Sequence, residues 1–157
     1  MKQTRHTKAF SMVTSLVVIV LMATVSIFVM SLSGKIIKST TTQYQHEQAE
    51  LYAKSYTEYA ILAITGNDRN DTCLETITGN IGDNPSKGNG YRVRTHISYI
   101  GTSDEIDNCS DVRKLSTSVS TSNTPLTTII DAYVDYKDVG NTDGPWITVH
   151  RRTVQKI

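Results

Sequence analysis

The chain has 157 residues, of which 20% are charged, with a net charge of +1 and two cysteines. Once the long N-terminal helix argued below is set aside, about 90 residues remain, enough for one small domain and too few for a large enzyme. The basic residues are scattered and form no run, so neither a global positive field nor a basic stripe points to nucleic acid.

Residues 1–9 form a short polar leader with Lys2, Arg5, His6 and Lys8. Residues 10–32, FSMVTSLVVIVLMATVSIFVMSL, contain no charge and no proline. As a helix they span about 34 Å, enough for a hydrocarbon core of about 30 Å. Positive residues flanking a first apolar helix stay in the cytoplasm, which places the chain beyond Leu32 outside it. Lys35 and Lys38 weigh the other way, but they are fewer and follow the long apolar run.

Residues 33–65 read as an amphipathic continuation of the same helix. At 100° per residue, Ile37, Thr41, Tyr44, Gln48, Leu51, Tyr52, Ser55, Tyr59 and Leu62 fall on one side, the expected buried face. His46, Glu50 and Lys54 point away from it, and Glu47 and Glu58 lie at its border. Thr65, Gly66 and Asn67 are the expected stop, with Gly66 in the left-handed conformation that a C-terminal cap favours.

Residues 66–157 read as a β-rich domain. Residues 67–90, rich in Gly, Asn and Asp, are expected to be mostly loop, with a helical turn at residues 71–77 presenting Cys73. Residues 91–99 are the clearest strand, Tyr91, Val93, Thr95, Ile97 and Tyr99 alternating with Arg92, Arg94, His96 and Ser98. An acidic loop follows at residues 102–111 and carries Cys109. The Ser- and Thr-rich stretch 115–128 fits a short edge strand through Leu115, Thr117 and Val119 and fits a loop equally well. Residues 127–136 and 146–154 alternate as two more strands, joined by a turn at residues 140–145 and hence antiparallel. The expected fold class is α+β, one long helix covering one face of a small antiparallel sheet.

Cys73 and Cys109 both fall in the outer part. In an oxidising compartment two cysteines have one possible pairing, and a small domain with a thin core gains typically 2 to 4 kcal/mol from it. Two unpaired buried thiols are the alternative. Neither cysteine has a CxxC or nearby His partner for a metal.

The residues supply no catalytic constellation. His6, His46, His96 and His150 are far apart in sequence, although His96 and His150 could meet across the sheet. No serine sits in a nucleophile elbow. Two loops are dense in hard oxygen ligands: Asp104, Glu105, Asp107, Asn108 and Asp111 in one, Asp138, Asn141 and Asp143 in the other. Neither has an EF-hand spacing. Calcium is the ion that such oxygens would hold, and the second loop suits it better because Gly140 and Gly144 let the chain curl. Solvated turns and no cofactor are the default expectation.

The first third resembles the type IV pilin-like proteins: pilins, minor pilins and the pseudopilins of type II secretion. The pattern is a short basic leader ending in a small residue, a cut before an aromatic residue, and an apolar helix that continues into the outer domain. The resemblance implies cleavage by prepilin peptidase between Ala9 and Phe10, methylation of the new amine of Phe10, and assembly with other pilin or pseudopilin subunits through the helix. Ala9 stands where the family usually has Gly. Thr14 stands at the fifth mature position, where most members carry a carboxylate thought to neutralise the N-terminal ammonium. Thr at this place is similar to the tip-type members, the K-type pseudopilin and the X-type minor pilin. The chain is too short for the large inserted helical domain of the K-type. It is thus expected to be a structural subunit of a filament or secretion assembly and not an enzyme. Two other readings fit the same residues: a signal-anchored binding or sensory domain, and a secreted protein cut after Ser33.

Overall fold

The computed structural model describes residues 6–68, 71–119 and 126–157, with side chains from residue 12 onward in the first of these stretches. The leader residues 1–5 and the middle of the Ser- and Thr-rich stretch, residues 120–125, lie outside the described residues. The chain divides into two compact units, Met1–Thr41 and Thr42–Ile157.

The first unit is helical, being the N-terminal part of helix α1, which runs from His6 to Gly66. Its side chains from Met12 to Thr41 are all exposed. Several of its hydroxyls bond back to the helix itself. The hydroxyls of Thr24, Ser26 and Ser33 donate to the carbonyls of Leu21, Met22 and Val29 at 2.9, 2.8 and 2.9 Å. The exterior of a helix long and apolar enough to cross a membrane is thereby left almost wholly apolar. This is consistent with a single-pass membrane protein.

In the second unit, the rest of α1 packs on a five-stranded sheet. The strands are β1 (Thr76–Asn84), β2 (Asn89–Ile100), β3 (Lys114–Ser116), β4 (Thr127–Tyr136) and β5 (Ile147–Lys156). The order is β1-β2-β4-β5, antiparallel throughout, with the short β3 added parallel to the end of β2. One turn of helix, α2 (Ser103–Ile106), sits between β2 and β3. The α+β class, the three alternating strands and the antiparallel pairing of the last two stand as the sequence predicts.

Four expectations are corrected. The stretch 67–90 is not mostly loop, because it contains β1 and a 3-10 turn at Pro85–Lys87. Ile77, Gly79 and Ile81 alternate inward there, and Gly79 hides the pattern. A Cβ there would overlap the hydroxyl of Tyr56 on α1, so a larger residue would require that ring to shift. Residues 71–77 make no helical turn; Asp71 and Thr72 close onto the Asp68 carbonyl and Cys73 lies in the extended lead into β1. Gly66 ends α1 without entering the left-handed region, which Gly82, Gly88 and Gly90 occupy instead.

The fourth correction concerns the buried face of α1. It consists of Gln45, Ala49, Ala53, Thr57, Ala60 and Ile64, all buried. Tyr44, Leu51, Tyr59 and Leu62, expected inside, are 62, 59, 55 and 69% exposed, whereas Tyr52, expected on the same side, is half-buried against the core. The inner face of the sheet is already filled by Tyr99, Tyr136, Ile97, Ile130, Val93 and Val134. Small residues let the helix axis come close to such a surface, whereas leucine and tyrosine would hold it off. The core has two parts. Ala60 and Ile64 meet Ile97, Tyr99, Ile106 and Ile130 in one, and Ala49 and Ala53 meet Val93, Ala132, Val134 and Tyr136 in the other.

Candidate assembly surfaces

On α1, Tyr44, Leu51 and Leu62 fall within about 20° of one another at 100° per residue, and point opposite to Ala49, Ala53 and Ala60. They make a row of large apolar side chains on solvent, with Tyr59 beside it and Glu47 and Glu58 along it. Scattered exposed apolar residues are ordinary on a surface; this row is aligned on one helix face, as in helix-in-groove contacts, and is interrupted by Gln48 and Ser55.

Cys73 and Cys109 form a disulfide, with their Cα atoms 4.9 Å apart. It fastens the segment after α1 to the turn that follows α2, and Cys109 is buried beside Ile64 and Ile106. Glu75 secures the same turn by accepting the backbone N–H and the hydroxyl of Ser110. The acidic loop foreseen at residues 102–111 is in this way pinned over the part of the core around Ile64 and Ile106.

The sheet face turned away from α1 carries a ladder of charged and aromatic side chains set by strand register. Arg92, Asp135 and Thr148 are neighbours across β2, β4 and β5, as are Arg94, Tyr133 and His150, and His96, Asp131 and Arg152. Asp135 accepts from Arg92 at 3.0 and 3.1 Å, from Arg94 at 3.1 Å and from Thr148 at 2.7 Å. Burial pushes its carboxyl up, and the Thr148 hydroxyl with the two guanidiniums outweighs it, holding the carboxyl below its usual range. The hydrogen bond from Arg152 holds Asp131 low, with His150 adding to it and burial opposing. His96 and His150 do not meet: the Tyr133 ring lies between their strands, stacked on His150 at 4.4 Å and edge-on to His96 at 5.9 Å. Nδ1 of His96 accepts from Arg113 at 2.9 Å, since arginine only donates. Burial, then Arg113 and Arg94, lower the imidazole below its ordinary value, against a smaller opposing pull from Asp131. Between helix and sheet, burial and the neighbouring phenols of Tyr52, Tyr44 and Tyr136 push Tyr91 up to about 12.

Of the residues singled out by sequence, Ala9 and Phe10 lie in the first turns of α1, with side chains outside the described residues. Thr14 lies on the same helix, exposed and already engaged. In the loop after β4, the Asp138 carboxylate accepts the Gly140 N–H at 2.8 Å, and Lys137 donates to the Thr142 carbonyl at 2.8 Å. Among the described residues no group of three or more His, Cys, Asp or Glu is placed to hold a metal ion. Sequence reading did not assemble the outer-face ladder. The signal was present in the alternation of residues 92–96, 131–135 and 148–152, once the strands are laid in register.

No protein-family model matches the chain, and no curated protein or solved structure is significantly similar to it. What the residues and the fold give is a membrane-length helix with a small disulfide-closed β-domain packed on its second part, a pilin-like arrangement in general. Such an arrangement is consistent with a structural or adhesive subunit of an envelope assembly.

Proposed function

We propose that the protein is a minor pilin or pseudopilin, a structural subunit of a type IV pilus-like or type II secretion assembly that works by packing and not by catalysis. The observation that carries the reading is the division of labour on α1. Its alanines serve the subunit's own sheet, while Tyr44, Leu51 and Leu62 stand on solvent, where they are accessible to neighbouring subunits. The membrane-length apolar stretch and the resemblance of residues 1–14 to a prepilin-type start support it. In this reading prepilin peptidase cuts between Ala9 and Phe10 and methylates Phe10, and the outer unit lies beyond the cytoplasmic membrane.

Thr14 narrows the place in the assembly. In a filament each incoming ammonium needs a counter-charge in apolar surroundings, where an unpaired ion is expensive, and threonine supplies a hydroxyl without a charge. A subunit of this kind caps or starts an assembly better than it fills the shaft. Mass spectrometry of the mature N-terminus separates the readings. Methylated Phe10 is the expected result, intact Met1 would mean a plain signal anchor, and Gly34 a secreted protein cut after Ser33. Quantitative proteomics of sheared filaments is expected to find the protein in low copy, and abundance along the fibre would overturn the tip assignment.

A further inference from the structure

Charge is segregated within the outer unit. All 15 Asp and Glu residues follow Thr42, whereas Lys2, Arg5, Lys8, Lys35 and Lys38, of the 16 Lys and Arg, precede it, so the unit is acidic as a whole. Yet the sheet face away from α1 shows cations to solvent. Arg92, Arg94 and Arg152 have side chains 43, 43 and 62% exposed, and the carboxylates beneath them, Asp135 and Asp131, are 1 and 13% exposed.

Each of these guanidiniums engages its carboxylate through Nε and Nη2. A guanidinium has five N–H donors in a planar fork, so the Nη1 edge of each is left to take a second oxyanion in bidentate fashion. The buried carboxylates fix the forks from below, and the rings brace them from the side. Arg92 lies 4.5 Å over Trp146, with Lys137 5.5 Å from the same ring, and Arg94 lies 5.9 Å from Tyr133, which is also stacked on His150. Nucleobases stacking on these rings would compete with the cations already set against them. Arg92 and Arg94 are two residues apart on one strand, about 6 to 7 Å, which is the distance between alternate side chains of any extended peptide.

We propose that this face binds an extended acidic segment of a partner protein, with Asp or Glu at every second position aligned along β2. The proposal rests on the outer unit alone and is independent of how the leader is processed. Trp146, the chain's single tryptophan, sits under Arg92 and reports occupancy by its fluorescence. With the full chain in neutral detergent at low salt, an alternating Glu-Thr peptide is expected to shift the emission saturably and to lose affinity severalfold as salt rises. A peptide of the same composition with its glutamates in one block, and an oligothymidylate of equal charge, are expected to bind at least about threefold more weakly. Arg94→Lys keeps the charge over Asp135 and removes the fork, and is expected to weaken the alternating peptide about threefold to tenfold. Arg152→Gln, at a more exposed position, is expected to weaken it less, with a modest fall in the unfolding midpoint because Asp131 loses its fork. No shift of Trp146 with the alternating peptide, equal binding of the block peptide, tighter binding of oligothymidylate, or unchanged affinity in both variants would each overturn the proposal.

Discussion

The two sides of α1 above Thr42 invert the usual association of size with burial. Gln45, Ala49, Ala53, Thr57 and Ala60 face the sheet together with Ile64, Tyr52 and Tyr56 are half-buried beside them, and Tyr44, Leu51, Tyr59 and Leu62 face solvent. What differs is the surface opposite. A sheet whose inner face already holds Tyr99, Tyr136, Ile97 and Ile130 has its volume filled, and it accepts a helix that brings little of its own. Burial therefore reports fit between surfaces, and the large residues on the other side are the ones that the proposed packing between subunits would use.

The largest way to break this arrangement is from beneath. The Cys73–Cys109 bond closes a span of 36 residues beside the part of the core around Ile64 and Ile106. Cys73→Ser is expected to cost about 3 to 4 kcal/mol of outer-unit stability, measured by denaturant unfolding. Alkylation of both thiols in the untreated native protein would remove the basis for that figure.

Next comes the small-residue side itself. Ala53→Leu forces a branched side chain between α1 and the filled sheet and is expected to lose about 1 to 3 kcal/mol. The opposite substitution on the exposed side, Leu51→Ala, is expected to change the stability of the isolated protein by less than about 0.5 kcal/mol, because it empties no core. Comparable losses in the two variants would mean that the faces have been assigned wrongly.

Acid titration sharpens the same contrast on the sheet, where Asp135 is the buried carboxylate. Its folded-state pKa is depressed, so its contribution to stability is complete above the unfolded value of about 3.9 and is lost as pH falls through the lower folded value. His96 has the same sign at higher pH: its imidazole is held below 6.5, so protonation as pH falls from that value favours the unfolded chain. His96→Gln is expected to flatten the stability profile just below pH 6.5, and Asp135→Asn to flatten it below about pH 4, both read from unfolding midpoints.

Much of this was legible in the residues, for reasons that also explain the failures. The strands β2, β4 and β5 announce themselves because each has one packed and one wet face, so alternation survives in composition. β1 does not, since Gly79 replaces the inward side chain that the ring of Tyr56 displaces, and Asn80 and Gly82 read as turn chemistry. The α1 face was misread because periodicity locates an apolar stripe without saying whether the partner is the same chain. The ladder around Asp135 needs register, which no single strand contains. The processing residues Ala9 and Phe10 rest on resemblance to a family pattern.

The claim that Tyr44, Leu51 and Leu62 are kept for neighbouring subunits is tested most directly by a photo-crosslinking amino acid placed singly at positions 51, 62 and 54 of the full chain in its native membrane. Adducts with other subunits at 51 and 62, and few at 54, are the predicted result. Equal adducts at all three positions, or none at 51 and 62 where the protein is processed and assembled, would contradict it.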